Sequence, residues 1–322
     1  MSARTALIFG VSGQDGAYLS RLLLEKGYEV HGVSRDAARQ PFTRLHALAI
    51  EDRVFTHTAS MQKVDELRRM IDQVRPDEIY NLAGPSSVAQ SFAAPETVVE
   101  SIVGAQESLL EAVRRAGSRC RVYHSASSEC FGDLPRGSAA DERTPFAPRS
   151  PYATAKAEAH RLTMEYRQRF GIYAVSALVA NHESPLRGEE FVTKKIIAAA
   201  AAADHRREPR LSLGNLVAAR DWGYAPEYVD AMWRMLQQEQ PADYVVATGE
   251  SHTVEELAAA AFAAFGLDYR HFVVVQPTLF RASDIQYSRG NPESARKNLG
   301  WEAHTKFAAL VQLLADAERG RR

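Results

Sequence analysis

Short apolar runs alternate along the first 180 residues with longer stretches in which apolar positions recur every three or four residues. A run of four to six suits a strand buried on both faces, and the three-and-four spacing is one face of a helix. Thr5–Phe9, Tyr28–Val33, Val54–Thr56, Glu78–Ala83, Arg121–Ala126 and Ile172–Val179 read as strands. Between them one helix carries Leu19, Leu22 and Leu23 and stops at Gly27, and a second covers Val64–Val74. A long amphipathic helix spans Pro95–Ala116, and another runs from Pro151 to Phe170 and stops at Gly171. Strand and helix in turn imply an α/β fold with a doubly wound parallel sheet.

After Ala180 the texture changes. A polar loop is expected over Asn181–Gly188, then a helix from about Phe191 to Ala203 and a short strand at Leu211–Leu213. Polar turns at Gly214-Asn215 and Ala219–Gly223 precede a helix through Tyr228 and Trp233 and a strand at Tyr244–Ala247. Thr253-Val-Glu-Glu256 is a capping box for a helix closed by Gly266. Phe272–Val275, a short helix after Asn291-Pro292 and an amphipathic helix from about Thr305 complete the chain. This divides the molecule into a dinucleotide-binding domain, residues 1–180 plus about 218–247, and a smaller C-terminal α/β substrate domain, about 181–217 and 248–322.

The first strand runs into Gly10-Val-Ser-Gly13-Gln14-Asp15-Gly16 and then a helix. Strand, glycine turn, helix and strand form the Rossmann unit that lays a pyrophosphate on a helix N-terminus. At the end of the second strand an acidic residue would bind the ribose of NAD, whereas an arginine accommodates the 2′-phosphate of NADP. Ser34-Arg35-Asp36 contains both, and Arg35 coming first points to NADP over NAD. Leu82 and Ala83 are small enough at their strand end for a backbone lying against a cofactor.

The strand at Arg121–Ala126 ends in Ser127, Ser128 and Glu129, and the helix after it opens with Ser150 as cap and Pro151 at its first position. Tyr152 and Lys156 then fall one turn apart on one face. An ammonium beside a phenol favours the phenolate, so Tyr152 is expected to exchange a proton well below the usual ~10. A serine hydroxyl would hold the substrate oxygen that loses its proton. Farther on, Arg187, Lys194, Lys195, Arg220 and Arg281 stand among aromatics, as a nucleotide-diphosphate pocket requires.

Charge narrows the classes of partner. With 39 Lys+Arg against 40 Asp+Glu the formal net charge is −1, so no basic field favours nucleic acid or an anionic membrane. Cys120 and Cys130 are the two cysteines, too few for a disulfide framework and in no metal-ligand spacing. A strand beginning at Thr5 leaves no room for a targeting peptide, and no apolar run approaches ~20 residues. These features give the expectation of a cytoplasmic protein without a metal site.

GQDGAYL, LLEKGYEVHG, TPFAPRSPYATAK, NHESPLRGEEFVTKKI, ARDWGYAPEYVDAMW and YVVATGE together resemble the extended short-chain dehydrogenase/reductase family, and within it the GDP-mannose 4,6-dehydratases. The resemblance covers nearly the whole chain. It implies an internal redox cycle in which Tyr152, helped by Lys156, takes the C4 hydroxyl proton while hydride passes to NADP. Glu129 then removes the C5 proton and helps expel the C6 hydroxyl, and the hydride returns to C6. Ser127 falls where the family usually has Thr. The resemblance further implies a GDP-sugar site of Ser87, Asn181, Glu183, Arg187, Lys195, Gly214, Arg220, Arg281 and Asp284. The cofactor would be held by Gly10, Gly13, Gln14, Asp15, Gly16, Arg35, Leu82 and Ala83, with Ser60 and Met61 near the adenine. A homodimer or homotetramer, joined through the helices at Pro95–Ala116 and Pro151–Phe170, is also implied.

Four places depart from that family's pattern. Asp36 replaces a second basic residue, Ala59-Ser60-Met61 stands where Gly-Asp-Leu is usual, Gly84-Pro85-Ser86-Ser87 where Ala-Gln-Ser is common, and Leu186 for the first arginine of Pro-Arg-Arg-Gly. A 4-keto-reductase or epimerase acting on a related nucleotide sugar is the alternative, and Glu129 discriminates because neither needs a base at C5. A cofactor-binding regulator without catalysis would be expected to lose Tyr152 or Lys156, and both are present.

Overall fold

Six of the sheet strands precede residue 180 and the seventh returns from beyond it, in a computed structural model that describes residues 3–203, 211–280 and 283–320. Thr5–Phe9 (β1) lies near the centre and is buried on both faces from Ala6 onward, which its unbroken apolar run requires. Gln14–Glu25 (α1) leads to Glu29–Ser34 (β2), and Thr43–Ala47 (α2) precedes the edge strand Val54–Thr58 (β3). Val64–Val74 (α3) returns to Glu78–Asn81 (β4), followed by the short Val88–Ser91 (α4).

The single helix expected over Pro95–Ala116 is present as Pro95–Val99 (α5) and Ala105–Ala116 (α6), joined by a widened i→i+5 turn at Glu100–Gly104. The widening divides its contacts. Val98 and Ile102 pack with Tyr152 and Ala155, while Leu109 and Val113 join a separate core cluster with Leu7 and Ile79. Arg121–Ser125 (β5), Pro151–Phe170 (α7) and Ala174–Val179 (β6) follow.

Beyond β6 come Asn181–Glu183 (β7), Val192–Ala202 (α8), Leu211–Leu213 (β8), Ala219–Arg220 (β9), Trp222–Tyr224 (β10) and Ala225–Met235 (α9). Tyr244–Val246 (β11) pairs parallel with β6, giving the order β11-β6-β5-β4-β1-β2-β3 with every pairing parallel. The chain ends with His252–Thr253 (β12), Val254–Ala263 (α10), Val273–Val275 (β13), Glu293–Leu299 (α11) and Phe307–Arg319 (α12). The expected capping box is formed: Glu256 N–H donates to Thr253 Oγ1 at 3.1 Å and Thr253 N–H to Glu256 Oε2 at 2.7 Å.

Two segments expected as loops are strands. β7 pairs with β10 and β9 with β12, so the backbone of Asn181–Glu183 and of Ala219–Tyr224 is held by partners distant in sequence. Asp221 between β9 and β10 is buried and accepts from Thr248 N–H (2.9 Å), Thr248 Oγ1 (2.7 Å), Gly249 N–H (3.1 Å) and Gly290 N–H (3.3 Å). It fixes the position of its neighbour Arg220. A separate apolar cluster around Ile196, Leu257, Phe262 and Leu310 joins α8, α10 and α12. Among the described residues no helix is long and apolar enough to cross a membrane, and no cluster of His, Cys, Asp or Glu could hold a metal ion.

Candidate active site

β1 runs into Gly10, whose φ of +84° suits glycine, and the turn closes with Gly13 N–H donating to Gly10 O at 3.0 Å. A Cβ on Gly10 would stand 2.8–2.9 Å from the backbone of Leu82 and Ala83, and one on Gly16 would stand 2.3 Å from Gly10 O. Leu82 and Ala83 therefore lie directly against the turn. Gly13 caps α1 without a side-chain acceptor, which leaves the N–H groups of the first helical turn for an anion. The glycine turn fits a dinucleotide.

The side chains of Gln14 and Asp15 are engaged by β7 and the residues after it. His182 Nε2 lies 2.8 Å from Asp15 Oδ2. Burial pushes the Asp15 carboxyl up, but the adjacent His182 overcomes this and brings it down to about 2. Burial likewise opposes the charged His182, and Asp15 outweighs it, so the imidazole is raised. Arg35 is exposed at the end of β2, and Asp36 pairs with Arg39 at 3.7 Å. Ser60 Oγ donates to Gln62 Oε1 at 3.0 Å. The Met61 side chain is buried in a core cluster with Val33 and Ala59.

β5 and α7 bring the acid–base groups together. Ser150 Oγ accepts Ala153 N–H at 3.1 Å, which starts α7 with Tyr152 and Lys156 turned toward the end of β5. Tyr152 and Ser127 face the same cleft, and Ser127 Oγ accepts Glu129 N–H at 3.2 Å. Lys156 Nζ donates to Ser125 O at 2.6 Å and stands 5.8 Å from the centre of the Tyr152 ring. In the cofactor-free chain the shifts run against the charged forms of both groups. Burial pushes Tyr152 up, and burial pulls Lys156 down to about 8. Cys130 is also buried, its thiol pushed up to about 12 by desolvation, which leaves it unreactive.

Glu129 faces a cation from the other half of the cleft. Arg220 Nε lies 3.6 Å from Glu129 Oε1, while the same guanidinium reaches Asp284 Oδ1 at 3.2 Å and donates to Ile285 O at 2.7 Å. Glu183 and Arg187 pair at 3.1 Å, and burial raises the Glu183 carboxyl. Arg187 also lies 3.5 Å over the ring of Phe191. An aromatic four residues after Arg187 was the available signal for Phe191, which sequence reasoning missed.

The cleft between these groups has a volume of about 430 Å³. It brings together Ser127, Glu129, Tyr152 and Lys156 with Ser87, Asn181, Glu183, Arg187, Lys195, Gly214, Arg220 and Asp284. Asp15 and Leu82 line it from the cofactor side, whereas Arg35, Ser60 and Met61 do not. Arg281 lies outside the described residues. A larger hollow of about 640 Å³ opens at the N-terminal ends of β1, β4 and β5 among Arg4, Arg75, Asp77, Glu78 and Arg121. Glu78 and Arg121 there are occupied by structural hydrogen bonds, so the smaller cleft is the candidate site.

A sequence profile of the family described as GDP-mannose 4,6 dehydratase matches residues 7–314. The chain belongs to this family. It is 42% identical to GDP-mannose 4,6 dehydratase 2 of Arabidopsis thaliana, covering 98% of this chain and 87% of that protein. It is 40% identical to the GDP-mannose 4,6-dehydratase of Sinorhizobium fredii, covering 96% and 94%. Among solved structures, a Streptomyces venezuelae dTDP-glucose 4,6-dehydratase with NAD and TYD bound superposes with a TM-score of 0.88 at 20% identity, covering 99% of this chain and 98% of that one. The Thermus thermophilus UDP-glucose 4-epimerase with NAD gives 0.87 at 24%, covering 99% and 100%. At those identities the likeness is one of fold, a Rossmann-type parallel sheet flanked by helices.

Proposed function

We propose that this chain converts GDP-mannose to GDP-4-keto-6-deoxy-mannose, with Tyr152, Lys156 and Ser127 serving the C4 oxygen and Glu129 serving C5 and C6. The observation that carries this reading is a carboxylate, Glu129, in the same cleft as Tyr152 and Ser127. Oxidation and reduction at C4 need only the hydroxyl, phenol and ammonium; elimination of water needs one more acid–base group, and Glu129 is there.

The chain's groups divide the work. Ser127 and Tyr152 hold the C4 hydroxyl, and Tyr152 receives its proton. Lys156, anchored on Ser125 O, sets a positive charge behind the phenol. Glu129 takes the C5 proton made acidic by the C4 carbonyl and delivers a proton to the departing C6 hydroxyl. When bound, the nicotinamide supplies the hydride acceptor and donor of this cycle. Arg187, Lys195, Arg220 and Asp284, with Arg281, are assigned to the nucleotide diphosphate, and the surrounding segments 181–217 and 248–322 to a substrate domain. Arg35 supports NADP over NAD, since Asp36 is engaged by Arg39. Exposed Val99 on α5 and Phe170 on α7 support a homodimer or homotetramer joined through these helices, and the two free buried cysteines a cytoplasmic site.

The test is incubation of the protein with GDP-mannose and NADP without added reductant, followed by mass. The expected product is lighter by one water, with no net reduction of NADP, and Glu129→Gln should slow its formation by roughly 10²–10⁴-fold. No dehydration, but NADPH oxidation on a 4-keto-6-deoxy sugar nucleotide, would refute the reading in favour of a reductase.

A further inference from the structure

The glycine turn and the segment that carries Glu183 and Arg187 are joined by side chains that play no part in the chemistry above. Ser184 and Gln14, 170 residues apart, meet with Ser184 Oγ donating to Gln14 Oε1 at 2.7 Å, and Gln14 Nε2 donates to His182 O at 3.1 Å. Gln14 and Ser184 are both buried. His182 is held between Asp15 Oδ2 (2.8 Å) and Ala180 O (2.7 Å), with its ring stacked 4.7 Å from Tyr228. Arg44, on α2, makes the third tie. Its Nη1 donates to Ser12 O at 3.1 Å and its Nε to Leu186 O at 2.8 Å, so one planar fork bridges the turn and the substrate segment. Leu186, which stands where the resemblance leads one to expect an arginine, packs its side chain against the main core instead.

We propose that Arg44 and the Gln14–Ser184 and Asp15–His182 pairs form a clamp that makes occupancy of the cofactor crevice and of the nucleotide-sugar site reciprocally coupled. This rests on the reading that the crevice takes NADP and the 181–187 segment a GDP-sugar. The anchors of the clamp, Ser12 to Asp15, are the residues at the N-terminus of α1 that an anion immobilises. Glu183 and Arg187 are spaced between and just beyond the clamped positions 182, 184 and 186. A segment already fixed to an immobile turn has less freedom to lose when the second ligand binds, and linkage requires the effect to run equally both ways. Arg44, His182 and Ser184 are positioning residues in this scheme. They act through the segment and not on the sugar.

The test is calorimetric titration of the full chain with GDP as probe, with and without saturating NADP. The wild type is expected to bind GDP at least ~5-fold more tightly with NADP present, the lower end of ordinary coupling. Arg44→Ala is expected to reduce that ratio to near 1, and Ser184→Ala to lower it part of the way. Should Arg44→Ala not fold, Ser184→Ala, which deletes a single hydroxyl, carries the test. A variant that weakens GDP equally with and without NADP leaves the ratio intact and overturns the clamp, because Arg44 would then act only as a local charge. Wild-type protein that binds both ligands with a ratio of 1 also overturns it while leaving the functional reading in place. Wild-type protein that binds neither ligand overturns both.

Discussion

Lys156 is buried, and its displacement from 10.5 to about 8 means that the native state without cofactor resists its charge. At about 1.4 kcal/mol per pH unit, holding the ammonium at neutral pH costs the fold about 3 kcal/mol. Lys156→Met removes that cost and loses the hydrogen bond to Ser125 O, worth about 1 kcal/mol. The variant is therefore expected to be more stable than wild type by about 2 kcal/mol at pH 7 while losing dehydration activity. The pH dependence has a definite sign. Between about 8 and 10.5 the unfolded chain keeps the lysine proton and the native chain does not, so wild-type stability rises with pH across that window relative to the variant. Urea unfolding of both cofactor-free proteins, at pH 7 and again at pH 10, isolates the effect because other titrating groups cancel in the difference. A Lys156→Met protein no more stable than wild type at pH 7, or an advantage that does not shrink at pH 10, would refute the reasoning.

Two further substitutions probe the scaffold of the site. Gly16→Ala places a Cβ 2.3 Å from Gly10 O and 2.6 Å from Val11 Cα, both backbone atoms that cannot step aside, so NADP binding should be lost and stability should fall by about 3 kcal/mol or more; unchanged NADP affinity by fluorescence titration would show the turn to be more pliant. Asp221→Asn leaves one acceptor oxygen where the carboxylate takes four hydrogen bonds, and a loss of about 2–3 kcal/mol in chemical denaturation is expected with NADP affinity unchanged. A stability equal to wild type would show that these donors find other partners.

The parallel sheet was legible because its central strands are buried apolar runs with helices between them; Pro151–Phe170 has the bounds that Ser150 and Gly171 announce. β7, β9, β10 and β12 were not, since two or three residues carry no period and their pairing depends on partners many positions away. The composition of the site was readable in the same uneven way. Ser127, Glu129, Tyr152 and Lys156 line one cleft, and burial in the cofactor-free chain shifts Tyr152 up where spacing alone points down. Spacing places the ammonium on the same helix face as the phenol, but it does not reveal that Nζ turns to Ser125 O or that both groups are buried. The bridge from Arg44 to Ser12 O and Leu186 O ends on backbone carbonyls, which leave no mark in a sequence.

The direction of each ionisation separates two kinds of buried charge within the cleft. Asp15 and His182 stabilise each other's charged forms, and each uses its charge on a partner that the fold supplies. Tyr152, Lys156 and Glu183 are pushed toward neutrality by burial that their neighbours do not offset. Groups that a fold leaves uncompensated in this way cluster where a ligand completes the electrostatics. The compensated pair stands between the glycine turn and the 181–187 segment, whereas Tyr152 and Lys156 stand where the proposed reaction moves a proton. Burial opposes the Lys156 charge where the proposed proton transfer needs it, so the gain in stability of Lys156→Met and its loss of turnover are two consequences of one arrangement.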